Sequence, residues 1–388
     1  MTPGISIPPK NIALAVDTGG TNTRIGLLEL DKGLICHASY PTALFRDKNQ
    51  MAETLYDGFC GMLDSNDINY HRIAGIGHGS TGVPDFKNVT ILDSPNLPKS
   101  LLPLDLAPRI AKKFKLKTMG VGNDCSFAAL GEDRFGYEPK GVEPLPEGSR
   151  RSPGAFRISP YQIFPKKFEK KCFYTVSTGE NGGFTDKGVI MGRPELGHGY
   201  GGDEDFFGRT AECGPNCKGV GHVEAVHSGS ALGKMILREY KFLPSNVRNS
   251  QVWTQIDTMV SKGMNEEKLL KAIPKTLYDC ARSGDPLALL ISDWHNEKTC
   301  RVIGNILASG YQPQIIAFGG SVTKSMDFSM VPAFRMFAES VARGSKDYTG
   351  FQPEAQLPAL AVCRDYGENH ILLGAGAFVF NKLYGAEL

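Results

Sequence analysis

Apolar runs closed by glycine-bearing turns recur along this chain. Ile12-Ala13-Leu14-Ala15-Val16 and Ile25-Gly26-Leu27-Leu28-Glu29-Leu30 flank the stretch Asp17-Thr18-Gly19-Gly20-Thr21-Asn22-Thr23-Arg24. Two such runs joined at a Gly pair predict a β-hairpin. Residues 73–77 read as a short strand ending in a glycine loop. Residues 118–121 read as a strand running into Gly122-Asn123-Asp124, and 173–177 as a strand entering a second glycine loop, 177–183. Residues 314–318 read as a buried strand leading into Gly319-Gly320-Ser321. Between these lie helical patterns at 106–114, 125–131, 286–309 and 370–383, the last rich in Gly and Ala. Alternation of this kind argues α/β architecture. Residues 137–171 break it with many Pro, Gly, Lys and Arg residues. They read as a long loop or insertion, plainly a solvated excursion, with a link to substrate access or subunit contact as the alternative.

Composition narrows the class. A chain of 388 residues has room for two domains, and 41% apolar with 22% charged residues is ordinary for a soluble globular protein. The net charge of +2 gives no reason to expect nucleic acid or an acidic membrane surface as partner. No apolar run approaches bilayer length, and the start of the chain lacks the hydrophobic core of a secretion signal. Nine cysteines, an odd count spread from Cys36 to Cys363, do not resemble a disulfide framework. Reduced thiols and a cytoplasmic location are the expectation.

The first turn carries chemistry beyond its glycines. Its backbone N–H groups can meet phosphate oxygens, and Asp17 can hold a magnesium ion directly or through water. An ordinary Gly-rich hairpin turn is the alternative. Three strand-to-glycine junctions, at 17–21, 177–183 and 318–321, point to one nucleotide held between two halves of a molecule. The chain has no Gly-x-x-x-x-Gly-Lys-Ser/Thr loop, and the first turn lacks Gly-x-Gly-x-x-Gly spacing.

The ordered set resembles the ROK family of sugar kinases, within the actin and hexokinase superfamily, from about residue 11 to 383. Asp17 to Arg24 resembles the first phosphate motif. Ser80-Thr81-Gly82-Val83-Pro84 and Ser94-Pro95-Asn96-Leu97 resemble the sugar-side loops, and Asn123-Asp124 the catalytic pair. Residues 177–183 resemble the second phosphate loop, Glu195-Leu196-Gly197-His198 the Glu-x-Gly-His signature, and 315–322 the adenosine-side motif. Gly221-His222-Val223-Glu224 stands where the family usually has Gly-Cys-x-Glu.

The resemblance implies an α/β fold of two ribonuclease H-like domains around a nucleotide and sugar cleft. The smaller is expected at 1–122, with a terminal helix 366–388 packing back on it, and the larger at 123–365. It implies ATP and Mg²⁺ at Asp17, Gly19, Gly20, Thr21, Asn22, Arg24, Thr178, Gly179, Gly319 and Gly320. Sugar contacts are implied at Gly82, Asn96, Asn123, Asp124, Glu195, His198 and Glu224, with Asp124 as general base. A carboxylate suits that role because a sugar hydroxyl must lose its proton late in transfer; the plain alternative for Asp124 is a helix N-cap. A homodimer is implied as well. The simplest reaction is phosphorylation of the 6-hydroxyl of glucose; fructose, mannose, allose and N-acetylated amino sugars stay open. Sugar-responsive repressors also belong to the family, but they carry an N-terminal helix-turn-helix domain, and here about ten residues precede the first strand. A sugar sensor without turnover is the remaining alternative.

Two departures matter. The family commonly carries a structural zinc on the His of Glu-x-Gly-His and three cysteines. Here Cys217 and His222 keep the spacing of the last two ligands, Pro215 replaces the first cysteine, and Cys213 lies two residues earlier. His198, Cys213, Cys217 and His222 would form a Cys₂His₂ zinc site; a degenerate site without metal is the alternative. The His-x-Glu of a zinc deaminase is excluded, because the cysteine pair lies upstream with the wrong spacing. The second loop contains Glu180-Asn181, and an acid there would repel ATP phosphates unless it points away or meets magnesium. That leaves polyphosphate or another nucleotide open as donor.

Overall fold

The computed structural model describes residues 9–94, 96–135, 168–192, 195–213, 217, 219–244, 246, 248–326, 333–334, 336–337, 358–363 and 369–386. Most of the expected insertion at 137–171 lies outside them; its last two residues, Lys170 and Lys171, already belong to a strand.

In chain order the elements are β1 (Ile12–Thr18), β2 (Asn22–Glu29), β3 (Gly33–Pro41), α1 (Lys48–Ser65), β4 (Ile73–Ser80), β5 (Val83–Asp85), β6 (Thr90–Asp93), α2 (Leu106–Phe114), β7 (Met119–Asn123) and α3 (Asp124–Phe135). Then come β8 (Lys170–Val176), β9 (Glu180–Asp186), β10 (Val189–Ile190), α4 (Val223–His227), α5 (Gly229–Phe242), α6 (Gln251–Ser261), α7 (Glu266–Arg282) and α8 (Pro286–Ala308). β11 (Ile315–Gly319), α9 (Ser321–Ser325), β12 (Ala359–Val362) and a last helix, His370–Tyr384, complete the described set. The chain divides into two compact units, 1–137 with 183–193 and 368–388, and 138–182 with 194–367. All nine cysteines are free. No helix among the described residues is long and apolar enough to cross a membrane.

The first sheet has the order β3-β2-β1-β4-β7. β1 and β2 form the expected antiparallel hairpin, and β4 and β7 continue the sheet parallel to β1. All of β1 is buried, as a central strand covered on both faces requires. Alternation divides its side chains. Leu14 and Val16 join Ile25, Leu27 and Phe59 on one face, while Ala13 and Ala15 meet Phe127, Leu372 and Val379 on the other. α1 supplies the first face through Met51, Leu55, Phe59 and Leu63, a stripe at helical spacing, and begins where Asp47 caps Asn49 and Gln50.

The glycine run after Ile73 forms strand, not loop. β4 continues to Ser80, and Gly75, Gly77 and Gly79 alternate along it. A Cβ at Gly75 would lie 3.0 Å from Val379, at Gly77 it would collide with the backbone of Ala375, and at Gly79 it would lie 2.5 Å from Ile371. The glycines therefore let the last helix press against the strand. That helix in turn uses Gly374 to approach the backbone of Phe127 on α3.

The second sheet has the order β10-β9-β8-β11-β12, with β8, β11 and β12 parallel. In both sheets the glycine junctions fall at the carboxyl ends of parallel strands, where open α/β sheets take ligands.

Candidate active site

The first unit gathers three strand ends. Thr18 of β1 is in register with Ser80 of β4, and Ser80 with Asn123 of β7. The β1–β2 turn closes when Gly19 N donates to the Asn22 carbonyl at 2.9 Å. Thr42, fully buried, braces it: its hydroxyl donates to the Gly19 carbonyl at 2.7 Å, its N–H donates to the Thr21 carbonyl at 2.9 Å, and its hydroxyl lies 3.0 Å from that of Thr23. Sequence reasoning missed Thr42, because a lone threonine after β3 carries no motif. A Cβ on Gly20 would lie 2.7 Å from the Asn96 carbonyl oxygen, so this turn and Asn96 touch. Gly82 has φ +111°, a conformation that favours glycine, and a Cβ there would strike the Asp93 carbonyl.

Asp17 is 6% exposed, with Arg24 Nη1 3.5 Å from its Oδ2. Burial pushes its carboxyl up to about 7; Arg24 opposes that, and the charge of Asp124 adds to it. Asp17 and Asp124 thus lie within electrostatic reach of each other. Asn123 Oδ1 accepts from Cys125 N at 3.1 Å and Ser126 N at 3.4 Å, so Asn123 is the N-cap of α3. Asp124 occupies the first helical position, accepting from Cys125 N at 2.9 Å. The helix-cap alternative for Asp124 is therefore met by its neighbour.

The second unit holds the other glycine junctions. The β8–β9 loop is shorter than expected, only 177–179, because Glu180 already begins β9. It is tied to the start of α5: Gly229 N donates to the Ser177 carbonyl at 2.7 Å and Ser230 N to that of Thr178 at 3.1 Å. Gly319 in register with Thr175 and Gly320 at φ +101° end β11. A Cβ on Gly320 would strike the Val176 carbonyl, so β8 and β11 end side by side.

Glu195, His198, His222 and Glu224 also cluster here. Burial raises the proton affinity of Glu224, Glu180 and Glu195 add to that, and His198 and His222 oppose it. Gly197 is wedged among them: a Cβ would run into the Glu180 carbonyl and lie 3.6 Å from Glu224 Cβ. Glu180 faces away from the loop. It is 5% exposed and accepts from the Tyr174 hydroxyl at 2.7 Å. The feared repulsion of phosphates is thus answered by burial.

Ligand atoms of His198, Cys213, Cys217 and His222 all lie within 4.8 Å of one another. Cys217 Sγ is 3.6 Å from His198 Nδ1 and 3.5 Å from His222 Nδ1. Zinc bonds of about 2.0–2.3 Å in a tetrahedron separate donors by roughly 3.3–3.8 Å, so these residues fit the ion.

The ROK family profile matches residues 13–142 and 164–359. A glucokinase from Thermotoga maritima is 26% identical over 334 residues, covering 84% of this chain and 86% of the relative. Among solved structures, a ROK family transcriptional regulator, a homologue of the E. coli MLC protein, has a TM-score of 0.67 at 18% identity, covering 97% of this chain and 79% of that one. A ROK family glucokinase from Streptomyces griseus, in complex with glucose and AMPPNP, has a TM-score of 0.62 at 18% identity, covering 95% and 98%. Both structures share the fold. With the profile spanning most of its length, the chain belongs to the ROK family.

Proposed function

We propose that this protein is an ATP- and magnesium-dependent sugar kinase, acting most simply on the 6-hydroxyl of glucose. The observation that carries the reading is the division of labour at the end of β7: Asn123 caps α3, and Asp124 stands beside it, within electrostatic reach of the buried Asp17. The sugar hydroxyl attacks the γ-phosphorus, its oxygen–phosphorus bond forms as the β,γ-bridge breaks, and its proton passes to the Asp124 carboxylate. Such a base contributes about 10² to 10⁴ in rate. Gly19, Gly20, Thr21, Asn22 and Arg24, with Thr178, Gly179, Gly319 and Gly320, bind the nucleotide. Asp17 would hold magnesium, which supplies charge neutralisation on the phosphates when bound.

Gly82, Asn96, Asn123, Glu195, His198 and Glu224 orient the sugar. Carboxylates suit adjacent hydroxyls because each accepts more than one hydrogen bond. His198, Cys213, Cys217 and His222 would hold zinc, fixing the His198 ring through its Nδ1 side and leaving Nε2 for the sugar. The relatives named above as glucokinases support the substrate class, and a homodimer belongs to the same reading. Coupled ADP release across a panel of hexoses, with magnesium present and absent, is the test. Hexose-dependent release lost in Asp124→Asn supports it. Hexose binding without ADP release would instead show a non-catalytic sugar sensor, and neither binding nor release would overturn the reading.

A further inference from the structure

β9 opens with two residues that a phosphate turn does not require, Glu180 and Asn181. Strand alternation sends their side chains to opposite faces. On one face Glu180 Oε1 lies 2.7 Å from His227 Nδ1 as well as from the Tyr174 hydroxyl, and all three residues are buried. His227 is the last residue of α4, three positions after Glu224 in the first turn of the same helix. His227 Nε2 lies 2.9 Å from the Thr299 hydroxyl on α8. His295 of α8 stacks on the His227 ring at 4.0 Å, donates from Nε2 to the His227 carbonyl at 2.7 Å, and has the Tyr278 hydroxyl of α7 2.7 Å from Nδ1. The short helix carrying Glu224 is thus bolted by its far end to β9 and to two long helices.

On the opposite face Asn181 Oδ1 accepts from Leu196 N at 3.0 Å, and Asn181 Nδ2 donates to Glu195 Oε2 at 3.3 Å. One side chain therefore fixes both the backbone and the carboxylate of the Glu195 turn. The surroundings are close-packed: a Cβ on Gly179 would stand 3.0 Å from Glu224 Oε1.

We propose that Glu180 and Asn181 are positioning residues that set sugar affinity, Glu180 by anchoring α4 and with it Glu224, and Asn181 by holding Glu195. This rests on the sugar-kinase reading. Neither residue touches the reacting atoms, so the device acts on sugar KM and leaves transfer alone. A hydrogen bond to a charged group, such as that from Asn181 to the Glu195 carboxylate, is worth about tenfold or more in binding.

The test is steady-state kinetics and calorimetric binding with glucose, or the hexose the panel identifies, on the full chain. Asn181→Ala is expected to raise sugar KM and Kd about tenfold, with ATP KM and kcat within about twofold. Asn181→Asp keeps the acceptor for Leu196 N but sets an oxygen against Glu195. It is expected to weaken sugar more than Ala does, whereas a merely structural role would be rescued by it. Glu180→Gln, which keeps an acceptor for Tyr174, is expected to stay within about threefold of wild type, and Glu180→Leu to lose sugar about tenfold. If Glu180→Leu does not fold, the Asn181 pair still decides. Sugar KM unchanged in Asn181→Ala, or sugar and ATP KM rising together, overturns the positioning role while wild-type turnover leaves the kinase reading standing. Wild type that binds no hexose overturns both.

Discussion

Asp17 and Arg24 stand directly opposite each other on β1 and β2, with Arg24 Nη1 3.5 Å from Asp17 Oδ2. The pairing is lopsided, since the acid is buried and the guanidinium is about one-third exposed. A half-wet cation cannot offset full burial of a carboxylate, and a second acid, Asp124, adds repulsion. The pair therefore leaves negative charge in want of a partner at the end of β1.

The first prediction follows from that imbalance. Moving a carboxyl from 3.8 to about 7 corresponds to about 4 kcal/mol at most between its two protonation states. The raised folded value means that the contribution to stability is full below pH 3.8 and is lost as pH rises through about 7. Asp17→Asn has no charge to bury. Its melting temperature is expected to match wild type near pH 4 and to exceed it by several degrees at pH 8, while kcat falls at least about a hundredfold. Thermal melts across pH, made without nucleotide, check the first part. A gap that does not open between pH 4 and 8 would show that Asp17 is ionised without cost.

Asn123 and Asp124 give a second, paired prediction. Asn123→Ala removes the cap from α3 and should cost about 1 kcal/mol of stability. Asp124→Asn leaves that cap in place, so its melting temperature should stay near wild type while kcat drops about 10² to 10⁴. The stability loss is expected in Asn123→Ala alone, which as a sugar contact also weakens sugar binding, whereas Asp124→Asn loses turnover without loss of stability. An Asp124→Asn enzyme with near-normal kcat would reject the base assignment.

Much of this arrangement is legible in the sequence, for reasons that can be named. The β1–β2 hairpin announces itself because an apolar run, a Gly pair and a second apolar run can fold in few other ways. α2 shows because its apolar and basic residues divide onto opposite sides, and α8 because, in its 23 residues, no glycine or proline falls between Pro286 at its start and Gly304. β3 is harder: as an outer strand it alternates weakly, with most side chains half-exposed or exposed. α1 carries a clear stripe that sequence reading passed over. The glycines of β4 look like loop residues until the last helix is seen lying against them. Glu180 looks like a flaw in a phosphate loop because one of its partners, His227, lies 47 residues away in the chain. Asn181 is illegible for the same reason: its value lies in a turn fourteen residues away.

Gly374 tests the close packing of the first unit. It lies in the last helix, where a Cβ would collide with the Phe127 carbonyl on α3. Backbone oxygen cannot rotate aside as a side chain can, so the helices must part. Gly374→Val is expected to destabilise by more than about 3 kcal/mol and to reduce soluble yield sharply. Gly61 is the control, since nothing lies within 4 Å of its would-be Cβ. Gly61→Ala on α1 should gain up to about 1 kcal/mol from helix propensity. Chemical denaturation of both variants checks the contrast; equal stabilities would mean the two helices pack loosely.

The last prediction concerns zinc, and Cys217 is the residue on which it turns. Its sulfur is the thiol within 3.6 Å of both His198 Nδ1 and His222 Nδ1, whose rings lie 4.9 Å apart. Without an ion, a thiol between two imidazoles offers weak hydrogen bonds; with zinc, the same atoms complete a Cys₂His₂ set with Cys213. Purified protein never exposed to chelator is expected to carry about one zinc per chain. Cys217→Ser and His222→Ala should each bring it below about a tenth of an equivalent. His198 then loses what fixes its ring, so sugar binding is expected to weaken about tenfold or more while ATP KM holds. Metal analysis reads the first result without reference to turnover, and calorimetry with the sugar reads the second. Wild type lacking zinc would mark the cluster as a degenerate remnant, whereas zinc lost with sugar affinity unchanged would confine it to folding.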